Sequence, residues 1–189
     1  DYFKEGIKPA QEKAQEILDE YLENIKIENC VEHPEVTCYV YRRLPFSIRA
    51  TDFDECPGRG KSFSGTGTEN PEISYRRGCG MKIVELRGIQ EKQFVFDCQW
   101  DRFGLVLKEG EFACYSLDEQ KDMEVEITLA SGYSGGTFSL GRGQEEEIVS
   151  VSSEQRKVKV HIGAGSGALT ARMLEGEICL ERLGFREMF

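Results

Sequence analysis

The sequence is short of the features that mark the more easily recognised protein classes. It has a single tryptophan, Trp100, and only two histidines, His33 and His161. Neither histidine is near a serine or cysteine nucleophile in a recognisable motif, so nucleophilic catalysis has little support. No apolar run approaches the roughly 20 residues of a membrane helix. Basic residues are also in deficit, with 24 Lys and Arg against 34 Asp and Glu, a net charge of −10. That balance argues against nucleic acid as a partner and against an anionic membrane surface, both of which need a basic footprint. No CxxC pair occurs among the seven cysteines, which excludes a zinc ribbon or thioredoxin-type site. Scattered singly, they read as small core residues, with one or two disulfides as the alternative. No signal-peptide pattern opens the chain; the compartment is left open, extracellular or secretory if the protein binds glycans.

What is present changes texture near residue 30. Residues 1–30 read as a helix and linker. In AQEKAQEILDEYLENIKI, Ala10, Ala14, Ile17, Leu18, Tyr21, Leu22 and Ile25 recur on one helical face, with Pro9 suited to an early position. Such a face is expected to dock on something, either the following domain or a protein partner. Residues 31–189 read as one all-β domain. In DMEVEITLASG, Met123, Val125, Ile127 and Leu129 alternate with polar residues, and RKVKVHIG repeats the pattern with Val158, Val160 and Ile162. SGYSGGT reads as a hairpin turn. Short strands, turn signals and no intervening helices predict a β-sandwich.

VHIGAGSGALTARML tests that reading. An apolar run into Gly163, Gly165 and Gly167 resembles the first motif of S-adenosylmethionine-dependent methyltransferases. That loop needs a parallel βαβ sheet around it, and no helices separate the upstream strands. The cluster is instead expected to be the turn of a hairpin, with Leu169, Ala171 and Met173 facing inward.

Five stretches then fall in a recognisable order. They are LPFSIRATDFDE, SGTGTENPEISYRRGCGMKI, KEGEFACYSL, MEVEITLASGYSGGTFSL and VKVHIGAGSGALTARMLEGEICLERLGF. Together, from about Leu44 to Phe185, they resemble the carbohydrate-binding modules of families 6 and 35. The resemblance implies a galactose-binding-like jelly-roll β-sandwich and a non-catalytic role in tethering a partner to an oligo- or polysaccharide. A sugar ring packs its CH-rich face on an aromatic platform, and nearby polar groups fix its orientation. The resemblance places Tyr75 and Arg76 at such a site. The tryptophan expected in SVSSEQRKV is missing, and Cys179 stands where an asparagine is expected. Trp100 and Phe103, in FDCQWDRFG, are the candidate replacement platform; capping the core is their structural alternative. Tyr75 and Trp100 would stack sugars, and Arg76 would bind hydroxyls or an acidic sugar. The family's structural calcium falls on Arg49 and Thr51, with Glu181 matching an acid of the last strand. Arg49 cannot ligate a hard cation, so no cofactor or metal is expected, and Asp52, Asp54 and Glu55 read as a solvated acidic turn. With two of three sugar contacts replaced, a protein-interaction domain on the same fold is the alternative.

Overall fold

The computed structural model describes residues 10–30, 42, 44–67, 69–70, 73, 75–86 and 103–188. The chain divides into two compact units, Asp1–Thr37 and Cys38–Phe189. In the first, helix α1 spans Gln11–Asn24, followed by a short 3-10 turn at Ile27–Asn29. Its apolar face is exposed: Ile17, Leu18, Tyr21, Leu22 and Ile25 all stand in solvent.

The second unit is all β. Its strands are β1 (Phe46–Arg49), β2 (Phe63–Ser64), β3 (Lys82–Glu85), β4 (Phe103–Lys108), β5 (Phe112–Tyr115), β6 (Met123–Leu129), β7 (Gly135–Arg142), β8 (Glu145–Ser152), β9 (Lys157–Ile162) and β10 (Leu169–Glu187). They pair antiparallel in one curled sheet whose two leaves share β10. In the first half of β10, Leu169–Arg172 pair with β5 and Leu169–Glu177 with β7. Its second half pairs with β4 and β1 along one edge and with β6 along the other. β2 and β8 extend the first leaf, β3 and β9 the second.

The alternation in β6 does what the sequence predicts: Met123, Val125, Ile127 and Leu129 are buried and the residues between them half-buried. Together with Phe138, Leu140, Leu183, Phe185 and others they form one core between the leaves. Phe46 stacks on Phe185 with ring centroids 4.5 Å apart. Tyr115 is fully buried, and its hydroxyl donates to the Ala50 carbonyl at 2.7 Å. Cys114 and Cys179 are the buried cysteines among the described residues, where Cys30, Cys56, Cys79, Cys114 and Cys179 are all free thiols.

Two expectations need correction. The stretches around SGYSGGT and GAGSG are not hairpins. Among the described residues, β6 pairs with β9 and β10, β7 with β8 and β10, and β9 only with β6. Both glycine-rich stretches therefore carry the chain from one leaf to the other. The Gly163–Gly167 loop leads into the 19-residue strand β10 rather than a helix, which removes the methyltransferase reading. β10 is continuous over all 19 of its residues. Gly176, at φ +92°, sits beside a register shift between Met173 and Glu175, and the bend is absorbed there without breaking the ladder.

Candidate functional site

Tyr75 and Arg76 lie in the connection from β2 to β3, at a turn where Arg76 takes φ +52° and Gly78 φ +90°. A carboxylate holds that turn: Glu69 accepts the backbone N–H of Gly78 at 3.0 Å and that of Gly80. These two hydrogen bonds, with the nearby Arg77, pull the Glu69 carboxyl below its ordinary value. A depressed folded-state pKa means the stabilisation is present above the unfolded value and is lost as pH falls through the folded one. The Gly78 and Gly80 amide resonances are therefore expected to titrate with a midpoint below 4.5, the ordinary glutamate value. A midpoint at or above it would contradict this tethering. Glu111 secures the same connection from below, accepting the Thr66 N–H at 2.6 Å and the Lys108 N–H at 2.9 Å.

Tyr75 itself is half-buried. Its ring stacks on Phe103, centroids 5.9 Å apart and planes 13° from parallel, and the Arg76 guanidinium carbon lies 5.8 Å from its centroid. Its hydroxyl donates to Asp52, and desolvation by burial followed by that carboxylate pushes the phenol pKa up. Asp52 in turn accepts Arg49 Nε at 2.8 Å. Arg76 lies 4.4 Å over the Phe53 ring, donates to the Phe53 carbonyl, and approaches Glu55 at 3.4 Å. Phe103 is only 6% exposed and belongs to the core; it backs Tyr75 instead of presenting a face of its own. The depression beside Tyr75 holds about 10 Å³, so a ligand there would rest on a surface and not in a cavity. Trp100 and His33 lie outside the described residues.

Three of the four candidate residues are thus accounted for, with Tyr75, Arg76 and Phe103 in one cluster. Asp52, which accepts the Tyr75 hydroxyl, and Glu69 and Glu111, which hold the connection around it, were not singled out as site residues from sequence. Glu111 had a signal, because it stands in KEGEFACYSL, one of the stretches that carry the resemblance.

At Cys179 the side chain faces a small second cluster with Val106 and Ala130, packed by Val84, Leu86 and Tyr133. Burial pushes its thiol pKa up to about 12, so it stays a neutral, nearly inaccessible thiol with little to offer a sugar hydroxyl. The calcium positions fare similarly. Arg49 points its permanent charge at Asp52, and the Thr51 hydroxyl is buried with no hydrogen-bond partner. Those residues do not fit a hard cation. No group of three or more His, Cys, Asp or Glu side chains among the described residues is placed to hold a metal.

Fold and site together define an antiparallel β-sandwich. No protein-family model matches the sequence, and neither does any curated protein sequence. Among solved structures, the chain is similar to a carbohydrate-binding module from Cellvibrio mixtus lichenase 5A, solved in complex with cellotriose. That match has a TM-score of 0.46 and 13% identity, covering 78% of this chain and 100% of the module. A ruminal GH26 endo-β-1,4-mannanase gives a TM-score of 0.43 and 10% identity over 79% of this chain. A family GH115 4-O-methyl-α-glucuronidase with specificity for decorated arabinogalactans gives 0.41 and 15% over 47%. The chain spans 27% of the mannanase and 15% of the glucuronidase.

Proposed function

We propose that this sandwich is a non-catalytic glycan-binding module of the galactose-binding-like, family 6/35 kind, carrying an attached or partner protein to an oligo- or polysaccharide. The observation that carries this reading is where the resembling stretches fall. The opening stretch holds β1, the Tyr75–Arg76 turn leads into β3, the Gly-Glu-Phe stretch enters β5, and the last two stretches hold β6, β7, β9 and β10. In this reading Trp100 supplies the stacking platform. Tyr75 adds a ring edge, Arg76 orients hydroxyls from the rim, and Phe103 supports them from the core. No cofactor is required.

The test is a glycan array with soluble polysaccharides, run on wild type, Trp100→Ala and Tyr75→Phe. Trp100→Ala is expected to weaken binding about tenfold or more, the equivalent of ~1.4 kcal/mol. Tyr75→Phe keeps the ring and removes the hydroxyl that bonds Asp52, so binding is expected to persist. Folded protein that binds nothing on the array would overturn the proposal. A second reading, a protein-interaction domain, is favoured by the exposed stripe of α1, where Ile17, Tyr21 and Ile25 are 55%, 59% and 53% exposed. A chain that sediments as a monomer at every concentration and captures no partner counts against it.

A further inference from the structure

We propose that the cavity between the end of β7 and the end of β9 is a second saccharide site, which takes a single neutral sugar residue. The proposal rests on the glycan-binding reading above but uses none of its residues. The cavity holds about 280 Å³, and its walls include Arg142, Glu145, Glu147, His161 and the Gly163–Ser166 backbone. It lies where Arg142 pairs with Leu169 at the start of β10. Cys179 is ten residues further along that strand, roughly 33 Å of extended chain.

The site is built before any ligand arrives. The Ala164 N–H is held by Asp122 at 2.6 Å, and the Gly165 N–H by the Gln120 carbonyl at 2.9 Å. The Gly165 carbonyl accepts Arg142 Nη1 at 2.8 Å. A Cβ on Gly163 would come within 3.3 Å of the Glu145 carboxylate, so that acid overhangs the loop.

Arg142 is the anomaly. It is 6% exposed, its Nε has no hydrogen-bond partner, and its Nη2 reaches only the Met123 sulfur at 3.6 Å. Among the described residues it forms no ion pair. A buried guanidinium with donors to spare and only the more distant Glu119 carboxylate to offset its charge is costly, and a bound acceptor that lets it turn toward the cavity lowers that cost.

The lining selects the acceptor. A carboxylate or phosphate would meet Glu145 and Glu147 as well as Arg142, in a protein whose net charge is −10. Sugar hydroxyls suit both signs, donating to the two carboxylates and accepting from the guanidinium and imidazole. The volume is at the lower end of the roughly 300–1,000 Å³ of ordinary ligand pockets, which suits one ring in preference to a chain. None of these lining side chains is aromatic apart from the His161 imidazole, so the site binds through hydrogen bonds, with Kd on the order of millimolar.

The test is amide chemical-shift mapping on the full chain, titrated with glucose, xylose, galactose, mannose and glucuronate. Saturating shifts at Gly163–Ser166 and Gln144–Glu147 with a neutral sugar are expected. Glucuronate should bind more weakly, and Glu145→Gln combined with Glu147→Gln should weaken the neutral sugar about fivefold. Both glutamates are exposed strand residues, so the fold should be unaffected. Shifts confined to Tyr75–Gly80 would overturn the second site while leaving the glycan reading intact. Tighter binding of glucuronate would overturn the neutral-sugar assignment. No shifts with these sugars would overturn the site, and silence with soluble polysaccharides too would overturn both readings.

Discussion

Gly136→Ala is expected to destabilise the sandwich by about 4 kcal/mol or more, among the largest effects a single small substitution produces. Gly136 pairs with Gly176 where β7 crosses the bulge of β10. A methyl group there would lie 2.0 Å from the Glu175 carbonyl oxygen and 2.8 Å from the Met173 terminal carbon. The methionine can swing away, but the carbonyl belongs to the ladder and cannot. The backbone adds a second cost, since φ is +149° at this position. The effect is large against a total stability of roughly 5–15 kcal/mol for a domain. At this domain size it should lower Tm by roughly 10–15 °C. Gly143→Ala separates the two causes: φ is +62° there, and its added methyl would have nothing within 4 Å. It should cost only ~1 kcal/mol. Thermal and urea unfolding of the two variants measures the difference. Equal, small losses would show that the strands do not approach so closely.

Glycines also show what the sequence can and cannot tell. Gly135 and Gly136 read as a turn because turn chemistry and close backbone approach demand the same residue. In the structure both belong to β7, and the turn precedes them. Which strand pairs with which is equally hidden. A glycine-rich connection looks the same whether it folds back on its neighbour or crosses to the other leaf, and here both such connections cross. The alternation of β6 was legible because one of its faces is buried and the other partly wet. β4 was not, because Phe103–Leu107 are buried on both faces, the inner by the core and the outer by the cluster around Cys179. At the candidate site, Tyr75 and Arg76 were legible as a pair. Their commitments to Asp52 and Phe53, each 23 residues away, were not. Arg142 reads as one more charge in GRGQEEE, and only the fold buries it.

Glu111→Ala is expected to cost about 2–4 kcal/mol, from two hydrogen bonds to a charged acceptor lost at once. The carboxylate is 3% exposed and has no ion-pair partner among the described residues. What it holds is backbone: the Lys108 N–H on one oxygen and the Thr66 N–H on the other. The first bond closes the turn between β4 and β5, which Glu111 also closes through its own N–H to the Lys108 carbonyl at 2.8 Å. The second is a tether to the connection that carries Tyr75 and Arg76. Gln in its place keeps the shape but turns one acceptor into a donor facing an N–H, so Glu111→Gln should be destabilised as well. Urea unfolding gives the energies, and sugar titrations of the still-folded variants locate the consequence. Loosening the tether should weaken any glycan contact at the Tyr75 turn and leave shifts at Gly163–Ser166 unchanged, because that loop is anchored by Asp122, Gln120 and Arg142. Loss at both places would mean that the variant has softened the whole sandwich. Loss at the Tyr75 turn alone would identify Glu111 as the residue that positions it.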